Sequence, residues 1–168
     1  MTARDDRARF SAFVAENRQA LSRMGYLLTG DASLAQDLVQ EALTRAYARW
    51  GRIEPGREFA YLRRTMANLR TDWWRRRRYE VVADMTASAD DASPPRVWQP
   101  DPYAAVDDRD ELLDRLALLT PRERTIVVLR FYNDLTEAAV ASELGVSLGT
   151  VKSTCSRALA RLAKEPVS

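Results

Sequence analysis

Between Ala83 and Tyr103 the chain changes character. Pro94, Pro95, Pro100 and Pro102 stand there among aspartates and small polar residues. Proline lacks a backbone donor and fixes φ, so neither a helix nor a central strand runs through such a stretch. It reads as an extended, poorly ordered tether. Helical periodicity lies on both sides and nothing reads as a strand pair. The fold class is therefore all-α: two small helical domains, residues 1–80 and 108–168, joined by a proline-rich acidic linker, 81–107.

Charge follows the same division. Residues 1–78 hold 16 arginines against 9 acids, a net +7. Residues 79–108 hold 1 arginine against 7 acids, a net −6, and residues 109–168 hold 9 basic against 8 acidic residues, a net +1. A basic block suits phosphate contact, which supplies most non-specific affinity for nucleic acid. Of the 26 basic residues only Lys152 and Lys164 are lysines, a bias that points to a GC-rich genome.

Several chemistries are excluded. The chain has no histidine and one cysteine, Cys155. It therefore has no internal disulfide, no zinc site built on Cys and His, and no Ser-His-Asp or Cys-His nucleophile. P-loop and dinucleotide fingerprints are absent, and no carboxylate pair suggests acid–base work. The expectation is a binding protein that is not an enzyme, with no cofactor and no metal. The charged start, Met1-Thr2-Ala3-Arg4-Asp5-Asp6, has no apolar h-region after it. No run approaches the ~20 apolar residues of a membrane span. A cytoplasmic protein without membrane insertion is expected.

In the first segment Phe10, Phe13, Val14, Leu21, Met24 and Leu28 recur at helical spacing, predicting a helix from about Arg7 to Leu28. Asp31 is placed to cap a second helix, Ala32–Trp50. A third carries Phe59, Leu62, Met66 and Leu69 and continues, or restarts as a fourth, into Trp73-Trp74 and Arg75–Arg78. In the second segment Leu112, Leu113, Leu116 and Leu119 form one stripe. Thr120-Pro121-Arg122-Glu123 is a helix start with a capping box.

Residues 136–162 read as a helix-turn-helix. Ala141 supplies the small residue where two helices approach, and Gly145 supplies the positive φ of the turn. Val140, Leu144, Val146 and Val151 fill the angle, and Ser147 caps the second helix. In such a motif the second helix enters the major groove. With Val151 and Leu159 facing inward, Leu148, Thr150, Lys152, Ser153, Ser156 and Arg157 face outward. Cations and hydroxyls of this kind contact phosphates or read base edges.

Four blocks in register resemble the extracytoplasmic-function sigma factors of the sigma-70 family. Asp37-Leu38-Val39-Gln40-Glu41-Ala42-Leu43-Thr44-Arg45-Ala46-Tyr47 is similar to their region 2.2. Tyr61–Asn68 with Asp72 and Arg75–Arg78 is similar to regions 2.3 and 2.4. Leu118–Arg124 resembles region 4.1, and Gly149–Ser153 with Arg157-Ala158 resembles region 4.2. The resemblance implies a factor that directs core RNA polymerase to promoters. It implies that Asp37, Gln40, Glu41 and Arg45 meet the clamp helices of the largest subunit. Asn68 falls where the family captures a flipped −10 base, with Arg64, Asp72, Arg75 and Arg76 beside it. Thr150, Lys152, Ser153, Ser156 and Arg157 fall on the −35 reading surface, and region 4 sits on the flap of the second-largest subunit. The implied partners are thus core polymerase and promoter DNA, with an anti-sigma factor a candidate third.

Other features have plainer readings. Of Trp73 and Trp74, one is expected to pack inward and the other to lie over the helix surface. Four like charges at Arg75–Arg78 repel one another, so a polyanion would relieve them. Cys155 is expected to be a small packing residue. With nothing to hold them apart, the two domains are expected to fold against each other and occlude their surfaces. The main rival function is a stand-alone helix-turn-helix regulator that binds operator DNA without polymerase. A DNA-processing enzyme would need a carboxylate cluster or nucleophile in residues 1–80, and none is evident there.

Overall fold

A computed structural model describes residues 3–84 and 108–164. Helix α1 (Ala3–Thr29) leads through a tight corner into α2 (Ala32–Tyr47), and a 3₁₀ turn (Trp50–Arg52) precedes α3 (Glu58–Asp84). The second half comprises α4 (Asp108–Ala117), α5 (Pro121–Val127), a π-helical turn (Val128–Tyr132), α6 (Glu137–Leu144) and α7 (Leu148–Lys164). No strand occurs among the described residues.

The corner after α1 is built from local rules. Gly30 adopts a left-handed φ of +72°, and its N–H closes on the Tyr26 carbonyl at 2.7 Å. Asp31 then caps α2, its carboxylate accepting from the Leu34 N–H at 2.8 Å. Where a helix to Trp50 is predicted, α2 ends at Tyr47 and the chain tightens to bury Trp50. Phe10 meets that indole edge-on at 4.9 Å, and Phe13 lies 5.3 Å away. Aromatic contact of this kind contributes about 0.5–1.5 kcal/mol per pair beyond area burial. The anticipated third and fourth helices are one continuous rod, α3, anchored by Leu62, Met66 and Leu69, each at most 1% exposed. It continues to Asp84, so the first four residues of the expected linker are its last turn. The rest of the linker lies outside the described residues.

In the second half the predicted capping box closes. Glu123 N–H donates to Thr120 Oγ1 at 3.3 Å, and Thr120 N–H donates to Glu123 Oε2 at 3.0 Å. The π turn was not foreseen. Its Asn133 N–H reaches back to the Val128 carbonyl at 3.1 Å, and Arg130 Nη1 donates to the Leu135 carbonyl. Thr136 caps α6, Gly145 ends it at φ +64°, and the Ser147 hydroxyl accepts from the Thr150 N–H at 3.1 Å. These are the cap, turn and cap expected of a helix-turn-helix.

The two halves share one core. Helix α3 packs on α5 and α6, and α1 touches α5. The apolar interior runs without interruption from Leu28 and Met66 to Ile126 and Leu129. Each such side chain, fully buried, contributes roughly 1.5–3 kcal/mol. The domains are therefore folded against each other, as expected. The expected occlusion of both reading surfaces is only half realised, because the outer face of α7 stays open.

Candidate nucleic-acid interface

Helix α7 turns Val151, Thr154, Cys155 and Ala158 into the core. This leaves Lys152, Ser153, Ser156 and Arg157 exposed on one stripe, with Thr150 half-buried at its start. Leu159, expected inside, is 44% exposed. It follows Val151 by eight residues, which at 3.6 residues per turn leaves it about 80° off the buried direction. Ala158, seven residues on, takes the inward place. Along the stripe, Ser153 Oγ donates to the Thr150 carbonyl at 3.2 Å and Arg157 Nη2 donates to Thr154 Oγ1 at 3.2 Å. Lys152 and Ser156 project without such tethers in the described contacts. The arrangement offers two cations and three hydroxyls over about two turns, a set suited to phosphates and base edges.

The second predicted stripe lies on α3. Arg64, Arg75 and Arg76 are exposed, and Asn68 and Asp72 are half-buried. Asn68 does not face solvent freely: its Nδ2 donates to the Glu143 carbonyl of α6 at 3.1 Å. Five residues earlier, Arg63 Nη2 and Nε bind the Glu143 carboxylate at 2.5 and 3.3 Å. Trp73 and Trp74 are both half-buried, Trp73 against the core.

The third set occupies the outer face of α2. Asp37, Gln40 and Arg45 are exposed and Glu41 is half-buried; Asp37 and Gln40 point away from the buried Leu38, Ala42 and Ala46, and Glu41 and Arg45 flank them. Arg45 Nη2 pairs with Glu41 Oε1 at 2.7 Å. An exposed i,i+4 pair contributes about 0.3–0.5 kcal/mol.

Four residues that sequence reasoning passed over join the two halves: Arg63, Arg70, Arg124 and Glu143. Helix α1 has no cation in its own last turn. Arg70 of α3 donates to the Leu28 carbonyl at 3.2 Å. Arg124 of α5 donates from Nε to the Leu27 carbonyl at 2.5 Å and from Nη2 to that of Tyr26 at 3.4 Å. Both guanidiniums meet the negative end of the α1 dipole. Burial, then repulsion from Arg70, pushes Arg124 down to about 10 against a raising influence of Tyr26, so it stays charged at neutral pH. Burial, then Arg77, lowers Arg70 as well. The one available signal was the missing terminal cation of α1; nothing in the local pattern says which distant arginines replace it.

Among the described residues no group of three or more Cys, Asp or Glu side chains is gathered to hold a metal. No described helix is long and apolar enough to cross a membrane.

Two small helical modules, one carrying a helix-turn-helix with an exposed polar stripe, define a protein built to meet DNA. Residues 5–79 match the family "Sigma-70 region 2" and residues 109–162 match "Sigma-70, region 4". The chain is 42% identical over 163 residues to the RNA polymerase sigma-E factor of Streptomyces coelicolor, covering 95% of this chain and 86% of that one. It is 34% identical over 142 residues to the extracytoplasmic-function sigma factor SigL of Mycobacterium tuberculosis, covering 82% and 77%. It superposes with a TM-score of 0.66 and 25% identity on the Bartonella quintana sigma factor RpoE, solved in complex with the anti-sigma factor NepR, over 93% of this chain and 95% of that one. The chain belongs to the sigma-70 family, in its extracytoplasmic-function group. It is a sigma factor that directs RNA polymerase to promoters and is not itself an enzyme.

Proposed function

We propose a division of labour for this sigma factor. Residues 1–80 grip the polymerase clamp through Asp37, Gln40, Glu41 and Arg45, and hold the melted −10 element with Arg64, Asn68, Asp72, Arg75 and Arg76. Residues 108–168 sit on the flap and read the −35 element through Thr150, Lys152, Ser153, Ser156 and Arg157. Residues 81–107 link the two. The protein works in the cytoplasm. The observation that carries the reading is the α7 stripe, where Lys152, Ser153, Ser156 and Arg157 are all exposed on a helix capped at Ser147. The Bartonella relative is held by an anti-sigma factor, which supports such a partner here.

Flipping a base out of a stack costs a few kcal/mol, so the α3 stripe acts by holding bases that polymerase helps to expose. The test is transcription by core polymerase on genomic DNA, with start sites mapped with and without the protein. New starts are expected that disappear with Lys152→Ala/Arg157→Ala. Permanganate footprints of Asn68→Ala should show lost opening while −35 protection persists. Tight, specific DNA binding by the protein alone, with no effect on polymerase, would overturn the reading.

A further inference from the structure

The end of α6 sits on the α3 stripe. Glu143 is the penultimate residue of α6, so its carbonyl is one of the terminal four that lack an intrahelical partner. Asn68 Nδ2 satisfies that carbonyl at 3.1 Å. A base edge presents acceptors of the same kind, a carbonyl oxygen or a ring nitrogen. The Asn68 amide is thus already engaged by an acceptor from the other half of the chain.

An ion pair beside that acceptor and a charged hydrogen bond farther off join the two halves. Arg63 holds the Glu143 carboxylate from two nitrogens, and the side chains are only 15% and 16% exposed. Removing one partner from so covered a pair leaves the other charge desolvated and unpaired, which favours separation. On the far side, Arg124 reaches 97 residues back to the end of α1, in a space that a Cβ at Gly30 would fill. By contrast, Lys152, Ser153, Ser156 and Arg157 are exposed, and the described hydrogen bonds of Ser153 and Arg157 stay within α7.

We infer that α6 is a built-in competitor for the base site: the closed chain fills Asn68 with the Glu143 carbonyl, clasped by Arg63 and latched by Arg124, while the α7 stripe stays available. The inference rests on the base-capturing role proposed for Asn68. It makes the two reading surfaces unequal. The duplex-reading helix is presented in the free protein, and the single-strand-reading stripe is released only when the halves part. Parting is a two-state change, and binding at the α3 stripe is weakened by the fraction of chains that remain closed.

The test uses the full chain and charge reversal at the clasp. Small-angle scattering of the wild type should give a radius of gyration near the ~15 Å of a compact chain of this length, somewhat raised by the linker. Glu143→Arg sets two cations together and should shift it above about 20 Å, with most of the helicity by circular dichroism retained. Arg63→Glu should do the same. The double exchange Arg63→Glu/Glu143→Arg should restore the compact value, which a misfolded variant could not do. Association with core polymerase should quicken roughly threefold to tenfold in Glu143→Arg and return in the double exchange. An extended wild type, or a double exchange that stays extended, would overturn the latch and leave the Asn68 reading intact. Normal promoter opening by Asn68→Ala would instead remove that reading, and the competitor role with it, whatever scattering shows.

Discussion

Arg124 and Leu27 meet across 97 residues of sequence, the guanidinium Nε 2.5 Å from the carbonyl oxygen. The contact ties the capping-box helix of the second half to the end of the first helix. It is possible because Gly30 has no side chain: a Cβ there would lie 2.8 Å from Arg124 Nη1.

Gly30→Ala should therefore act twice. Its φ of +72° is costly for a residue with a Cβ, by about 1 kcal/mol, and the guanidinium must also shift. A total near 2 kcal/mol lowers Tm by about 4–8 °C in a chain of this size. A thermal melt checks this, and a Tm within about 1 °C of wild type would show that the corner tolerates a side chain.

Two leucines with the same side chain should behave differently. Leu62 is fully buried on α3 and Leu159 is 44% exposed on α7. Leu62→Ala should cost about 2–5 kcal/mol through lost burial and a residual cavity. Leu159→Ala should stay within about 0.5 kcal/mol of wild type. Urea denaturation of both variants measures the contrast, and equal losses would put Leu159 back in the core.

Lys152→Ala/Arg157→Ala should weaken promoter binding by the polymerase complex and flatten its salt dependence by about 1–2 units of slope. Affinity measured across a salt series decides it. An unchanged slope would remove both cations from the phosphate backbone.

Burial pushes the Cys155 thiol up, outweighing the lowering influence of Arg130. The folded state therefore holds the neutral thiol more firmly than the unfolded chain does. Its contribution is complete below the unfolded value and is lost as pH rises through the folded one. Alkylation should be much slower in the native protein than in urea, and stability should decline on the alkaline side. Equal alkylation rates would show the thiol to be accessible.

What could be read in the sequence was what neighbours decide. Asp31, Thr120, Gly145 and Ser147 do locally what their types and spacing dictate, since a cap or a left-handed turn is settled within four residues. Most of the α7 face followed from helical period. Leu159 is apolar yet lies off the buried direction of α7, and Ala158 holds the buried position. The π turn at Val128–Tyr132 depends on a carbonyl accepting from five residues on, for which composition carries no mark. Arg63, Arg70, Arg124 and Glu143 were missed for a different reason. Each looks like an ordinary surface charge until the two halves meet, and that meeting is set by tertiary packing.

The charge that completes the first helix comes in part from Arg124, in the other half of the molecule. Neither half keeps its full stability alone, so heat should melt the intact chain in one calorimetric transition. Each separated half should melt earlier than the whole. Any agent that prises the halves apart would then soften the end of α1 at the same moment, loosening the corner on which α2 is mounted.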